Sequence, residues 1–231
     1  MKKKILIAVG VLVLVVGGIW GFRTYQEIEK GKKERANTTI ASVVEPTKTT
    51  TPVSAPVASG PMRTFNLTEK SLIRWTGYKK VGQHSGWFIL FDGVGKMPDN
   101  NLEQATIELS IETDSVETDD PSGILTKVMK NESFFHCEKF PTATFKSVSI
   151  VKVATNVPNL YTVTGDLQIR DITKRIAFPA TITVAGDTVK LEADFKVNRR
   201  WWNIVWQAAG DSFLYDDVRI ELKAEAKEKA S

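Results

Sequence analysis

The chain has 231 residues, 42% of them hydrophobic, so it can bury a core and is not wholly disordered. Its formal net charge is +4 at pH 7, yet acidic and basic side chains nearly balance in residues 62–231, so the basic excess lies in the first 61 residues. A nucleic-acid-binding protein would carry that excess on its folded domain, and we predict no nucleic-acid partner. One cysteine can form neither an internal disulfide nor a zinc site.

The N-terminus has the pattern of a membrane segment. Three lysines precede an uncharged apolar run over residues 5–22, near the lower length limit of a bilayer-spanning helix. The run exceeds a usual signal-peptide core, and no A-x-A-like site follows it. We predict that residues 1–22 are a signal anchor or transmembrane helix; the alternative is a cleaved signal peptide, which would give a secreted protein. The leading lysines favour a domain outside the cytoplasm, in the periplasm or at the cell surface.

Residues 23–61 have the composition of a linker. Their first part is a charged run, for which we favour a solvated segment over a short helix. From residue 37 onward Thr, Ser and Pro dominate, and no hydrophobic periodicity is present. We expect a stalk of up to roughly 80 Å, at about 3.3 Å per residue, that leads to a domain over residues 62–231.

The domain shows the pattern of an all-β fold. Apolar and polar residues alternate, as in half-buried strands, over residues 105–112, 161–170, 189–197 and 218–224. Further strands are predicted over residues 72–78, 87–91, 142–153 and 176–184. About eight strands, with a hairpin turn at 185–187, predict an antiparallel barrel or sandwich. Helical spacing after Pro121 predicts one short helix within residues 122–135.

His136 and Cys137 stand side by side and raise the question of a reactive site. Nucleophilic catalysis needs an imidazole within hydrogen-bond reach of the thiol, but neighbours in extended chain point to opposite faces. A free cysteine is most often a small buried hydrophobe, so we predict a buried, unreactive Cys137. His84 has no partner at metal-binding spacing, and a structural or surface role is favoured.

The acidic run over residues 114–120 lacks the order of a calcium loop, although calcium stays possible there. Asp120 before Pro121 fits a helix start. No hydrolase, phosphate-binding or dinucleotide motif is present. The residues therefore predict no catalytic site, no metal and no cofactor.

Aromatic residues cluster with arginines near the C-terminus, at Trp201, Trp202 and Trp206 beside Arg199 and Arg200. We expect these residues to lie on a strand. Stacked indoles can bind single-stranded nucleic acid, but the near-neutral domain argues against it. Two interpretations stay open: the indoles plug one end of a barrel, or they line an apolar ligand site.

Four motifs resemble those of the YceI-like family. SFFHCEKFPTATFKS is similar to FF-x-x-x-K-[YF]-P-x-x-x-F-x-S through Phe134, Phe135, Lys139, Phe140, Pro141, Phe145 and Ser147. GDLQIRDITK is similar to G-D-L-x-I-[RK]-x-[VI]-T-K through Gly165, Asp166, Leu167, Ile169, Arg170, Ile172, Thr173 and Lys174. WTGYKKVGQHSG resembles W-x-G-x-K-x-x-G-x-H-x-G through Trp75, Gly77, Lys79, Gly82, His84 and Gly86. VNRRWW resembles [DN]-R-x-x-[FW] through Asn198, Arg199 and Trp202, with Asn203 where glycine is commoner.

The resemblance implies a lipocalin-like antiparallel β-barrel of about eight strands with one short helix, behind the N-terminal transmembrane helix and linker. It implies a non-enzymatic protein without a cofactor that binds, stores or carries a long isoprenoid lipid, either a polyprenyl chain or an isoprenoid quinone. The family usually has an acid and an aliphatic residue where His136 and Cys137 stand, so its function does not depend on a thiol there. The alternative is a membrane-tethered scaffold or adhesion barrel without ligand.

Strand alternation then predicts which side chains face the barrel interior. The expected lining is Ile107, Leu109, Ile111, Val163, Leu167, Ile169, Phe178, Ile182, Leu191, Phe195 and Val197. Phe88, Phe145 and Trp202 are expected at the mouth, and Arg199 is expected to meet a phosphate or quinone oxygen.

Overall fold

A computed structural model describes residues 26–45, 60–98, 101–206 and 211–229 of the chain. Two α-helices lie within these residues: α1 over residues 26–37 and α2 over Ile124–Lys130. The strands are β1 (Ser42–Val43), β2 (Met62–Leu67), β3 (Leu72–Lys79), β4 (Gly82–Phe88), β5 (Phe91–Pro98), β6 (Thr106–Glu112), β7 (Val116–Thr118), β8 (Thr142–Lys152), β9 (Leu160–Ile169), β10 (Ile172–Ala185), β11 (Thr188–Asn198) and β12 (Leu214–Glu228).

Eight passes of the chain close into an antiparallel barrel, which confirms the predicted barrel of about eight strands, although two helices and not one accompany it in the described residues. Three passes are bent and each contributes two strands: β2 with β3, β4 with β5, and β6 with β7. The pairs β2–β5 and β3–β4 form one interface, and β5–β6 and β4–β7 form the next. The ring continues through β8, β9, β10, β11 and β12, and β12 returns to β2 and β3.

The apolar core lies inside this ring in two clusters. One is centred on Phe145, Phe178, Phe195 and Trp202 and draws on β8 to β11. The other is centred on Trp75 and draws on β3, β4, β6 and β7, with Met129 of α2 packed into it. Inward-facing residues alternate with outward polar ones because successive side chains of a strand point to opposite faces.

The charged run near the N-terminus forms α1, so the expectation of a solvated segment was wrong. An i,i+4 pair joins Lys30 to Glu34, but the larger stabilisation comes from docking on the barrel. The Arg35 guanidinium lies 3.9 Å from the centre of the Tyr215 ring and 3.0 Å from a carboxylate oxygen of Asp217. Such tertiary partners, which are distant in sequence, stabilise a helix that its own sequence only weakly favours.

The segment after α1 fills a split in the barrel wall. β10 and β11 pair only near their shared hairpin, and β1 inserts where they diverge, pairing with β10. On the other side, the Lys196 backbone of β11 donates to Thr39 O and accepts from Ala41 N, both at 2.8 Å. Ala41 is 2% exposed and belongs to the first core cluster. This part of the predicted linker is therefore part of the barrel wall.

Residues 1–22, the predicted anchor, and residues 46–59 of the predicted linker lie outside the described residues. The predicted boundaries at 22 and 61 therefore stay predictions. Among the residues that the structure describes, no helix has the length and apolarity that crossing a bilayer requires.

Candidate functional site

The barrel is hollow, and its interior contains a cavity of about 340 Å³. Most of the side chains around it are aliphatic or aromatic. Leu109, Leu167 and Leu191 pack against the first core cluster and also border the cavity, and all three are only partly buried. Gly165 admits the Phe145 ring: a Cβ at this position would lie 2.3 Å from Cζ of that ring. The interior can therefore receive an apolar guest.

Every side chain predicted to line the interior borders this cavity. They are Ile107, Leu109, Ile111, Val163, Leu167, Ile169, Phe178, Ile182, Leu191, Phe195 and Val197. Phe88, Phe145 and Trp202 also border it and are buried in the core clusters, and their expected position at the mouth stays a prediction. The role of these residues in lipid binding stays a prediction.

The lining residues that the sequence reasoning missed include one group on β12 and one residue on β3. Val218, Ile220 and Leu222 of β12 border the cavity, and their alternation was visible in the sequence. Trp75 of β3 borders it as well, and only the register of β3 against β4 reveals its setting.

Trp202 borders the cavity from a 3-10 helix, Arg199–Trp202, so the expected strand does not extend through this segment. Asn203 ends that helix in the left-handed conformation with φ of 52°, a conformation that glycine and asparagine adopt most easily. Trp202 is fully buried, and its Nε1–H donates to Leu167 O at 3.2 Å. Trp202 therefore lies in the cavity lining, and the plug interpretation stays a prediction.

Arg199 borders the cavity, but its guanidinium already has protein partners. Its Nη1 lies 2.7 Å from Asp211 Oδ1 and donates to Ile204 O at 2.7 Å, while Nη2 donates to Asp216 at 3.1 Å. Nε donates to Tyr215 O at 3.2 Å. These contacts tie the end of β11 to the start of β12, and the head-group role of Arg199 stays a prediction.

Lys79 and His84 are polar side chains in the mainly apolar cavity lining, and they lie within hydrogen-bond distance of each other. Lys79 Nζ lies 2.8 Å from His84 Nε2, and His84 Nδ1 lies 3.0 Å from Asp119 Oδ1. The other oxygen of Asp119 accepts from Ser85 N at 2.8 Å. His84 thus has the structural surroundings that the sequence favoured. Among the described residues, no set of three or more His, Cys, Asp or Glu side chains is arranged to hold a metal.

Cys137 is buried, as predicted, at 7% exposure. We expected His136 and Cys137 to lie in extended chain with their side chains on opposite faces. This expectation was wrong, because His136 has a φ of 51° and the two residues lie in a turn. Burial raises the pKa of the Cys137 thiol, with a hydrogen bond to Thr113 acting in the opposite direction. The His136 ring meets Phe140 edge-on, with centroids 5.7 Å apart. This environment favours the neutral thiol over the nucleophilic thiolate.

α2 begins at Ile124 after Gly123 as its cap residue, so the helix does not start directly after Asp120 as the sequence suggested, although the Asp120 side chain still contacts its first turn. Its carboxylate accepts from Leu125 N at 2.8 Å and from Ser122 N at 3.1 Å. The hydrogen bond from Leu125, together with those from Ser122, lowers the pKa of Asp120 to about 2.

The protein-family model described as the YceI-like domain matches residues 65–226 of the sequence. The chain belongs to the YceI-like family. Relatives named Protein YceI from Salmonella arizonae and Salmonella newport are each 28% identical over 125 residues, which is 52% of this chain and 62% of theirs. The aligned part thus spans less than two thirds of the length of these relatives. Helix α1 and strand β1 lie outside the YceI-like match.

Solved structures share the YceI-like barrel. Burkholderia cenocepacia BcnA is similar with a TM-score of 0.62 and 23% identity, over 68% of this chain and 97% of that one. A polyisoprenoid binding domain from Saccharophagus degradans, implicated in plant cell wall breakdown, is similar with a TM-score of 0.56 and 12% identity, over 71% of this chain and 98% of that one. Likeness at such identity shows the fold.

Proposed function

We propose that this YceI-like barrel binds, stores or carries a long isoprenoid lipid outside the cytoplasm. The observation that carries the proposal is the hollow interior: a closed barrel whose inward-facing leucines keep exposed surface around an apolar cavity of about 340 Å³. The similarity to a polyisoprenoid binding domain supports this choice of ligand.

The physical chemistry of the cavity fits a hydrocarbon chain. Transfer of apolar surface from water contributes about 0.8 kcal/mol per buried CH₂, so a polyprenyl chain or the tail of an isoprenoid quinone needs few polar contacts to bind. An eight-stranded barrel has an interior just wide enough for one small guest. The role is binding and not catalysis, because the inward surface is mainly apolar and the Cys137 thiol is held in its neutral form.

Lipid extraction tests the proposal against the alternative of a scaffold barrel without ligand. The full chain is purified, extracted with organic solvent and analysed by mass spectrometry. We expect an isoprenoid in an amount approaching one per chain. Purified protein that yields no stoichiometric lipid, and that takes up none when isoprenoids are added, would favour the scaffold.

A pair of variants on β6 tests whether the lipid lies inside the barrel. Leu109→Trp fills the cavity, whereas Ser110→Trp adds the same ring to the outer face of the same strand. We expect the first variant to lose most of the copurifying lipid and the second to keep it. Equal lipid content in the two would place the ligand elsewhere. Circular dichroism checks that both variants fold.

The proposed location rests on the apolar run of residues 5–22 and the lysines before it. A cysteine-reactive reagent that cannot cross membranes tests it in intact cells through Ser110→Cys, which is exposed on the barrel. We expect labelling without lysis if the barrel lies outside the cytoplasm. Labelling only after lysis would contradict this location.

A further inference from the structure

Hydrogen-bond donors converge on the inner face of the β3–β4 hairpin. In its register Trp75 is opposite Gly86, Gly77 is opposite His84, and Lys79 is opposite Gly82. Directly opposed residues of an antiparallel pair share a face, and so do residues two apart on one strand. Trp75, His84 and Lys79 therefore follow one another along the same face, and all three border the cavity.

The Trp75 indole is held against the hairpin and keeps an unused donor. A Cβ on Gly86 would lie 2.3 Å from Cζ2 of the indole, and one on Gly77 would lie 3.8 Å from Cζ3, so glycine at these positions lets the ring lie across the strands. Trp75 is 7% exposed, and its Nε1–H has no hydrogen-bond partner among the described residues. Buried donors in proteins nearly always have a partner, so an unpaired one inside a binding cavity points to a ligand atom.

A series of hydrogen bonds positions the Lys79 side chain. An ammonium has no lone pair, so the 2.8 Å contact makes His84 Nε2 the acceptor, and His84 Nδ1–H donates to Asp119. Asp119 is fixed in turn by the Ser85 backbone. One N–H of Lys79 is used by His84, which leaves two for a ligand. His84 and Asp119 keep 38% and 42% of their side-chain surface exposed. These hydrogen-bonded side chains therefore lie where the cavity meets solvent.

We propose that Trp75 Nε1 and Lys79 Nζ bind the oxygen-bearing end of the isoprenoid, while His84 and Asp119 position Lys79. The class of group is a hydrogen-bond acceptor oxygen, either of a terminal phosphate or of a quinone ring. This inference rests on the proposed function for the hydrocarbon part of the ligand. It assigns the polar end to Lys79 in place of Arg199, whose guanidinium is already bound by two aspartates and two carbonyl oxygens.

Two variants of the full chain test the proposal. Trp75→Phe keeps an aromatic ring and removes the donor, and Lys79→Met keeps an unbranched apolar side chain and removes the charge. Lys80→Met is the matched control, because Lys80 is exposed and lies over the Phe213 ring, away from the cavity lining. Affinities are measured by displacement of a fluorescent lipid with three competitors: a polyprenyl phosphate, an isoprenoid quinone and squalene, which has no oxygen.

We expect each test variant to weaken binding of the oxygen-bearing ligand by about tenfold and to change squalene binding less than twofold, while Lys80→Met changes neither. If the variants lose affinity for the polyprenyl phosphate alone, the bound end is a phosphate. If they lose affinity for the quinone alone, the bound end is a quinone ring. Unchanged affinity for both, or an equal loss for squalene, would overturn the inference and leave the proposed function standing. Failure of the wild-type chain to bind any of the three would instead overturn the proposed function and this inference with it.

Discussion

Phe178 of β10 and Phe195 of β11 stack nearly parallel, with ring centroids 4.2 Å apart and 11° between their planes. The two strands are not hydrogen-bonded to each other at these residues, because Phe178 pairs with Val163 of β9 and Phe195 with Ile220 of β12. The stacked rings therefore join the two strands inside the barrel, across the split in the wall that β1 fills.

Removal of one ring of this pair should destabilise the fold strongly. Phe195 is 3% exposed, and we expect Phe195→Ala to lower the free energy of unfolding by about 3–5 kcal/mol through lost burial and the cavity left behind. Phe213→Ala is the control: this ring is 55% exposed, and its loss should cost less than about 0.5 kcal/mol. Urea unfolding measures both values, and similar values would contradict the assignment of Phe195 to the core.

The docking of β1 gives a second prediction. Ala41→Asp places a carboxylate among the apolar residues of the first core cluster and should release the segment, at a cost of roughly 1–3 kcal/mol. Ser42→Asp, one residue on, faces solvent and should leave the segment in place. Hydrogen exchange at Lys196 N, which donates to Thr39 O, reports the release. Equal protection of this amide in the two variants would contradict the docking.

The fit of Trp75 over Gly86 gives a third prediction. In Gly86→Ala the new Cβ would meet the indole at 2.3 Å and the Glu117 carbonyl at 2.5 Å, so we expect a loss of about 1–3 kcal/mol and a shift in tryptophan fluorescence. Gly95→Ala is the comparison, because a Cβ there would meet its nearest neighbours at 3.9 Å. If the two substitutions behave alike in thermal unfolding, the close packing of Trp75 is wrong.

The buried thiol gives a prediction of pH dependence. Burial raises the pKa of Cys137 in the folded chain above its unfolded value, so the unfolded chain loses its thiol proton first. The thiol therefore contributes stability that is fully present below the ordinary thiol pKa of about 8.5 and is lost as pH rises through the folded value. Cys137→Ala should flatten the decline in unfolding free energy between roughly pH 8 and 10.

Alkylation checks the same environment independently. Native protein should react with iodoacetamide far more slowly than urea-unfolded protein at one pH, because the thiolate is the reactive form. Rapid modification of native Cys137 near pH 6 would show an activated thiol and contradict its burial.

Alternation in the sequence predicted the barrel because most of its strands are regular and have one apolar face. It could not predict the bends that divide three of the eight passes. The apolar run over residues 87–91 was expected as one strand, but the chain turns at Ile89 and Leu90, which are 59% and 52% exposed. The partners that fix this turn, such as Ser115, lie far along the chain.

The cavity lining could be predicted where strands lack bulges, as in β9, β10 and β11. In β8 a bulge between Ser147 and Ser149 shifts the alternation, so that Ile150 is buried and Val151 is exposed. The contacts of His84 with Lys79 and with Asp119 could not be predicted, because they need the β3–β4 register and a carboxylate 35 residues beyond His84. Trp202 was expected on a strand because sequence spacing alone does not reveal a 3-10 turn.

The docking of α1 and β1 shortens the reach of the barrel from whatever holds residues 1–22. Residue 26 already belongs to α1, so the four Cα-to-Cα steps from residue 22 to residue 26 span at most about 14 Å. Residues 46–59 join β1 to β2, two strands of the same barrel, and their length adds nothing to that reach. A protein anchored through residues 1–22 would therefore hold its barrel beside the bilayer surface, within a distance that a lipid leaving the membrane can cross directly.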